Sequence, residues 1–184
     1  MEELIKKATD AVVASLKGAD KIYDTMFDIV KGNVVDIFKG TGDVATAGSG
    51  AVVKIVASLI EGVSEIGGEA GEATQKVVMG TLKGIAEVGG DTAGVIEDSV
   101  RGAIRGTSEV GGDLGKAAVG AVEGAVKSAE EIGLSTEDAL KNAISGAITG
   151  AGEVGGSAIQ VVTDALTASV KGAKEILSAP FDAK

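Results

Sequence analysis

Residues 102–112 read GAIRGTSEVGG, and this stretch contains the features that determine the architecture of the chain. Gly102 and Gly106 stand one helical turn apart, and Glu109 is followed at once by a valine and a glycine pair. The glutamate recurs with a constant 22-residue period, at Glu65, Glu87, Glu109, Glu131, Glu153 and Glu175. An internal repeat of this kind must be interpreted before any local signal, because it sets the architecture of the whole chain.

The 22-residue unit consists of two related halves of eleven residues, each with one mainly charged position followed by a mainly apolar one. Eleven residues over three turns correspond to about 3.67 residues per turn, which is close to a relaxed α-helix and gives a straight or gently right-handed supercoil. The apolar positions then form one stripe about 130° wide. We therefore predict an all-α protein of long amphipathic helices with 11- and 22-residue repeats, arranged as an antiparallel helical bundle or hairpin.

Small residues at a spacing of four form a second stripe beside the apolar one, and we call this stripe the glycine ladder. A spacing of four places both members of a pair on one helix face, where a neighbouring backbone can approach closely. We predict that the ladder and the apolar stripe pack helix against helix. The predicted packing residues are Gly80, Gly84, Gly102, Gly106, Gly124, Gly146 and Gly150 of the ladder, and Val100, Ile104, Val122, Val126, Ile144 and Ile148 of the stripe.

Beyond the ladder lies a charged margin, which is expected to face water. Oppositely charged residues four apart predict ion pairs along single helices, each worth a few tenths of a kcal/mol. These predicted pairs are Lys83–Glu87, Arg105–Glu109, Lys127–Glu131 and Lys171–Glu175.

The glycine pairs at 67/68, 89/90, 111/112 and 155/156 permit two interpretations. Each glycine costs roughly 0.5 to 1 kcal/mol against alanine inside a helix, so the pairs are either turns between short helices or are offset by tight packing. Asp or Ser after three of the pairs is a good helix N-cap, which favours turns. The eleven-residue phase continues through the pairs, however, and we favour continuous helix through most of them.

We predict one repeat-built domain over residues 1–184, with helix breaks near 39–50, 133–137 and 150–156. Glycines cluster in the first and last of these stretches, and the middle one, GLSTE, resembles a capped helix start. Pro180 predicts that the last helix ends near residue 178, leaving a short tail at 179–184.

Composition excludes several classes of function. The net charge of −10 and the presence of only two arginines disfavour nucleic-acid binding, which needs clustered basic residues. The chain has no Cys and no His, so thiolate nucleophiles, imidazole bases and most zinc sites are ruled out. The stretch MEELIKKATD at 1–10 has two acids where a signal peptide needs a basic region, and no apolar run reaches membrane-spanning length, so we expect neither secretion by that route nor a membrane span. We expect a non-enzymatic protein of the cytoplasm without cofactor or metal.

Three glycine-containing segments match nucleotide-binding patterns loosely. GAGEVG at 150–155 and GTGDVA at 40–45 resemble dinucleotide loops, and VVDIF at 34–38 could precede the second as a strand. GGDLGKAA at 111–118 resembles a phosphate loop, but Ala117 replaces the magnesium-binding hydroxyl. In a chain with 29 glycines such matches arise by chance, and we interpret Gly115 and Lys116 of the third segment as helix-packing residues.

Adjacent acids such as Glu97–Asp98 and Glu130–Glu131 could in principle act as acid–base pairs or calcium ligands. Sequence neighbours on a helix point about 100° apart, so the two carboxylates do not converge on one atom. We interpret both pairs as part of the solvated charged margin.

The segment AAVGAVEGAVKSAEE at 117–131, poor in aromatics and rich in Ala, Val and Gly, resembles the eleven-residue repeats of the synucleins and of perilipin-type lipid-droplet coats. In period the chain is also similar to late-embryogenesis-abundant proteins and to phasins, which coat storage granules. The resemblance is one of period and composition. It implies an amphipathic helix that lies on a lipid droplet, a membrane or a granule surface.

Two functional hypotheses follow. In the first, the apolar stripe and the ladder pack helix to helix, within the chain or between copies, into a bundle, fibre or shell, and the partner is the protein itself. In the second, the same stripe binds a lipid or other hydrophobic surface and becomes helical on contact. We favour the first hypothesis.

Overall fold

The structure is a computed structural model that describes residues 2–17, 22–41, 49–67 and 69–179. Within these ranges all regular secondary structure is α-helical, so the predicted all-α class is confirmed. The helices are α1 (Glu2–Leu16), α2 (Ile22–Thr41), α3 (Ser49–Ser64), α4 (Ala70–Glu87), α5 (Ile96–Glu109), α6 (Leu114–Glu131), α7 (Thr136–Val154), α8 (Gly156–Ser169) and α9 (Ala173–Ser178).

The helices are shorter than the sequence predicted, because the glycine pairs end them. The longest helix of the described ranges has 20 residues, and α4 and α5 end just before the pairs at 89/90 and 111/112. Gly89 and Gly111 have φ values of 75° and 67°, in the left-handed region that favours glycine. The preference for continuous helix through most pairs is therefore wrong: the pairs at 89/90, 111/112 and 155/156 lie at helix ends. Gly68 of the remaining pair lies outside the described residues.

The turn after α4 shows why a glycine is needed there. The amide of Gly90 donates to the carbonyl of Ile85 at 2.9 Å, and the amide of Gly89 donates to that of Ala86 at 3.1 Å. These two bonds form the Schellman motif, which satisfies the last carbonyls of the helix and requires one left-handed residue. The left-handed residue recurs with the period of the repeat, at Gly67, Gly89, Gly111 and Gly133.

Successive helices reverse direction where the linkers are short. Residues 110–113 join α5 to α6, and four residues span at most about 14 Å. The 18 residues of α6 extend about 27 Å. The chain cannot return to the start of a helix over so short a link, so the next helix runs back along the previous one.

The helices pack in two layers. One layer contains α2, α4, α6 and α8 in that order, and the other contains α1, α3, α5, α7 and α9. The most extensive contacts join helices two apart in sequence within a layer, while successive helices pack across the layers from α3 onwards, as α1 does with α2. A single cluster of buried aliphatic side chains, mainly Val, Ile, Leu and Ala, runs through the stack.

The predicted helix breaks correspond to different features. Much of the 39–50 segment lies outside the described residues, and α2 continues to Thr41. The 133–137 segment contains the turn between α6 and α7, where the hydroxyl of Ser135 accepts from the amide of Asp138 at 3.2 Å. In the 150–156 segment, α7 continues to Val154 and only Gly155 separates it from α8. Pro180 and the tail beyond it lie outside the described residues.

No helix in the described ranges combines the length and the apolar character that crossing a bilayer requires.

Candidate functional site: the glycine ladder

The ladder glycines lie where one helix touches the backbone of another. A Cβ placed on Gly102 would stand 2.6 Å from the carbonyl oxygen of Val53, and one on Gly106 would stand 2.6 Å from that of Ala57. Real Cβ atoms essentially never approach a neighbour closer than 3.0 Å. Any residue larger than glycine at these positions would therefore push α5 away from α3.

The same close approach recurs in the next two helix pairs. A Cβ on Gly124 of α6 would stand 2.7 Å from the carbonyl oxygen of Gln75, and one on Gly146 of α7 would meet that of Glu97 more closely still. Gly150 is slightly less crowded, with the carbonyl oxygen of Arg101 at 3.1 Å. These glycines are all buried.

A constant register relates these contacts, because the two partners are separated by the same length of chain every time. The partners are Gly102 with Val53, Gly106 with Ala57, Gly124 with Gln75, Gly146 with Glu97, and Gly150 with Arg101. Since both members advance together along the chain, helices two apart run parallel. The sequence did not predict parallel helices as the closest neighbours.

The contact between α2 and α4 has a different register. Cβ atoms on Gly80 and Gly84 would each lie 3.0 Å from a carbonyl oxygen, those of Phe27 and Lys31, and closer still to the side chains of Val30 and Val34. The sequence separation between each glycine and its partner carbonyl is four residues longer here than in the other helix pairs. The contact is therefore shifted by about one helical turn.

The apolar stripe lies in the core beside the ladder. Val100, Ile104, Val122 and Ile144 are fully buried. Val126 and Ile148 are half-buried, and Ile148 packs against the edge of the core cluster.

Gly120 is one of the tightest ladder positions, but it is not among the packing residues that the sequence predicted. A Cβ on this residue would overlap the carbonyl oxygen of Gly71 and stand 2.8 Å from the hydroxyl of Thr74. That hydroxyl is within donating distance of backbone carbonyls of α4 and lies 3.1 Å from the carbonyl oxygen of Ala117. The spacing of four between Gly120 and Gly124 could have indicated this contact. Most residues at the equivalent position of the other repeats are charged, however, so Gly120 was not assigned to the ladder.

The charged margin joins neighbouring helices as well as residues of one helix. Lys83 pairs with Glu131 of α6 instead of the predicted Glu87, and Glu87 pairs with Lys31 of α2 at 2.6 Å. The parallel arrangement explains the exchange, because it brings the margin of one helix beside that of the next.

Two other predicted pairs have different outcomes. The Arg105–Glu109 pair is confirmed, with Nε and Oε1 2.9 Å apart. The Lys171–Glu175 pair was predicted along a single helix, but its two residues do not share one. Lys171 lies in the turn before α9, and Glu175 lies in α9.

The cross-helix pairs perturb the groups that form them. A hydrogen bond from Lys31 lowers the pKa of Glu87 below its usual value, helped by the positive charge of the same lysine. The hydrogen bond to Glu153 raises the pKa of Arg101. Both shifts stabilise the charged forms of these two groups.

Asp98 departs from the sequence interpretation. It was assigned to the solvated margin, but only 8% of its surface is exposed. Burial raises the pKa of its carboxyl, while the charge of Arg101 acts in the opposite direction. Gly146 of α7 lies against the backbone of Glu97, so a neighbouring helix packs closely on the first turn of α5. Glu130 and Glu131 are exposed, as expected.

The segments that resemble nucleotide-binding loops have other roles. Residues 150–154 form the last turn of α7, and residues 34–38 are part of α2, so neither is a strand followed by a loop. Within 111–118, Asp113 caps α6 and accepts from the amide of Lys116 at 3.0 Å. Residues 42–45 lie outside the described part. Among the described residues, no group of three or more acidic side chains is arranged to hold a metal ion.

No protein-family model and no curated protein sequence matches this chain.

Proposed function

We propose that this is a non-enzymatic structural protein in which glycine-lined apolar helix faces pack against one another, and that copies associate with each other into a larger bundle, fibre or shell. The observation that carries the proposal is the constant register of the ladder, which repeats the same backbone-close contact through three successive helix pairs.

The energetics favour a packing role for the ladder. Glycine inside a helix costs roughly 0.5 to 1 kcal/mol relative to alanine, so a chain that places glycines in the interiors of successive helices needs an offsetting gain. Close approach of two backbones supplies this gain, because it brings many atom pairs to contact distance and each pair contributes about 0.1 to 0.2 kcal/mol. The glycines at 102, 106, 124 and 146 are among the positions with the closest approach.

Association between copies is supported by the ladder position of α2. Gly40 is the 22-residue equivalent of Gly62 and Gly84, both of which are buried against a preceding helix. Gly40 itself is exposed, and no atom lies within 4 Å of the place of its Cβ. A helix of a second copy is the partner that we propose for this face.

The alternative is a coat protein that lies on a lipid droplet, a membrane or a granule. That function needs the apolar stripe to be available to the surface. Here Val100, Ile104, Val122 and Ile144 are covered by other helices of the same chain. A surface-bound form would have to open these helix pairs, so the packed fold supports the structural role.

Circular dichroism of the dilute, lipid-free protein tests the choice. We expect a strongly helical spectrum with a cooperative thermal transition. The double variant Gly102→Leu/Gly106→Leu should lower the transition temperature or abolish folding, because leucine cannot fit against Val53 and Ala57. Gly156→Leu is the matched control, since no atom lies within 4 Å of its Cβ position and it is exposed.

A coil spectrum that becomes helical only with vesicles or emulsions would establish the coat function instead. Sedimentation velocity over a range of concentrations tests association between copies, and Gly40→Leu should weaken it. A protein that stays monomeric at all concentrations would overturn the association proposal.

A further inference from the structure

Glu61 breaks the charge pattern of the repeat. At the 22-residue equivalents of this position the chain has mostly basic residues, namely Lys17, Lys39, Lys83, Arg105, Lys127 and Lys171, with Thr149 as the one neutral exception. Glu61 is the only acid in the series. The reversed charge has a direct structural consequence in the contact between α3 and α5.

The equivalent contact between α4 and α6 is an ordinary ion pair, Lys83 with Glu131. Moving one full repeat back along the chain from both partners gives Glu61 and Glu109. The close approach of Gly106 to Ala57 holds α5 against α3 just before these two side chains. Two carboxyl groups therefore face each other where the neighbouring helix pair has a lysine and a glutamate, and both line the same groove.

A hydrogen bond between two carboxyl groups requires one proton, because two carboxylates have only acceptors. The neighbouring guanidinium decides which group holds it. Arg105 Nε lies 2.9 Å from Glu109 Oε1 and favours the ionised form of Glu109. The proton is therefore held by Glu61.

The electrostatics agree with this assignment. The hydrogen bond with Glu109, then burial, and then the negative charge of Glu109 raise the pKa of Glu61 to about 7, although Arg105 acts in the opposite direction. The hydrogen bond with Glu61, followed by that with Arg105, lowers the pKa of Glu109.

The pair lies in a groove of about 620 Å³ formed by α1, α3 and α5. From α1 and the residue that follows it, the charged residues that line the groove are Glu2, Lys6, Asp10 and Lys17. From α3, α5 and the turn after α3, besides the pair itself, they are Lys54, Glu65 and Arg105. Positive and negative groups are nearly balanced, so the surroundings do not neutralise a second carboxylate by themselves.

We propose that Glu61 and Glu109 form a proton-operated latch between α3 and α5, which is closed while the two carboxyls share a proton and is released when that proton is lost. Release leaves two negative charges facing each other at the groove, and α1, which packs on α3 beside them, is loosened with it. The latch does not depend on the proposed structural role.

The sign of the pH effect follows from the raised pKa of Glu61. A group whose pKa is higher in the folded state contributes stability that is fully present below its unfolded value of 4.5. That stability is lost as the pH rises through about 7. The lowered pKa of Glu109 acts below 4.5, outside this window.

Urea unfolding from pH 5 to pH 9 at constant ionic strength tests the latch with two variants. Glu61→Gln donates a permanent hydrogen bond and does not titrate, and Glu61→Lys restores the ion pair of the repeat. Between pH 5 and pH 8 we expect the unfolding equilibrium constant of the wild type to rise about tenfold relative to either variant, because each pKa unit is worth a factor of ten and partial exposure reduces the full effect. Glu130→Gln, with the same charge change at an exposed site of α6, should keep the wild-type profile.

If the stability of the wild type and that of Glu61→Gln change with pH in the same way between pH 5 and pH 8, the latch proposal is wrong. A second measurement does not depend on the stability of any variant. The side-chain carboxyl carbon of Glu61, followed by NMR in the wild-type protein, should titrate with a midpoint near 7. A midpoint at the ordinary value of 4.5 would equally exclude the proposal.

Discussion

Gly146 of α7 lies directly against the backbone carbonyl of Glu97 in α5, so the space that a Cβ would occupy is filled by the main chain of another helix. The oxygen involved belongs to a helix backbone, which cannot rotate aside as a flexible side chain can. The separation of α5 and α7 is therefore set by the absence of a single carbon atom. The same relation holds at Gly120 with Gly71 in the other layer.

Replacing Gly146 with alanine should destabilise the protein. Alanine gains about 0.5 to 1 kcal/mol in helix propensity, but overpacking against a rigid neighbour costs roughly 1 to 3 kcal/mol. The net effect should be a lower free energy of unfolding, measured by urea titration. Gly32→Ala is the control, because Gly32 lies in the interior of α2 with no atom within 4 Å of its Cβ position, and it should stabilise by about 0.5 to 1 kcal/mol. Equal gains in both variants would show that α5 and α7 are not held this closely.

Replacing Gly111 with alanine should also destabilise, for a different reason. Its Cβ would meet no atom within 4 Å, but its φ of 67° is left-handed, which costs an ordinary residue roughly 1 to 2 kcal/mol. Gly111→Asn should lose less, since asparagine tolerates this conformation better. The unfolding temperatures of both variants should be compared with that of Gly156→Ala. Gly156 is uncrowded and has no positive φ, so the comparison isolates the backbone strain at Gly111. An alanine variant as stable as the wild type would mean that the turn does not need a left-handed residue.

Among the described helix starts, those of α6 and α7 have a side-chain cap, and that of α4 does not. Asp113 accepts from the amide of Lys116 at 3.0 Å, and Ser135 accepts from that of Asp138 at 3.2 Å. Asp113→Ala and Ser135→Ala should each cost about 1 kcal/mol of unfolding free energy. Glu69, which precedes α4, makes no side-chain cap bond, so Glu69→Ala should change stability by less than about 0.5 kcal/mol. If chemical denaturation shows that Glu69→Ala loses as much unfolding free energy as the other two variants, then the loss of a cap bond does not explain the effect of those two.

The sequence allowed the helical class to be predicted, but not the ends of the helices. The 22-residue unit contains a helix and its turn together, so the next helix begins in the phase in which the previous one ended. Val88 and Val110 keep their repeat positions although both lie in turns, where Val110 is exposed and Val88 only half-buried. Periodicity therefore could not distinguish a turn from a continuous helix. The distinguishing property is the left-handed φ of one glycine in each pair, and glycine adopts either sign of φ readily.

The sequence also did not predict which helices would pack against each other. A ladder glycine such as Gly102 indicates that a backbone comes close, but not that it belongs to the helix two positions earlier. The same limit applies to charge: Lys83 has Glu87 one turn away and Glu131 on the next parallel helix, and the tertiary arrangement selects the second. The unusual acid at Glu61 was visible in the sequence, but its meaning depends on Glu109 lying opposite.

Burial of Asp98 predicts a pH dependence of its own. Its pKa is raised by burial in the first turn of α5, so the stability linked to this group is fully present below its unfolded value of 3.8 and is lost as the pH rises through the folded value. Asp98→Asn keeps the shape of the side chain and removes the buried charge. It should raise the urea midpoint at pH 7 and flatten the decline of stability above pH 4, whereas Glu97→Gln, with the same charge change on the half-buried neighbour, should leave that decline in place. An asparagine variant less stable than the wild type at pH 7 would mean that the attraction of Arg101 and of the helix N-terminus for the carboxylate outweighs its burial.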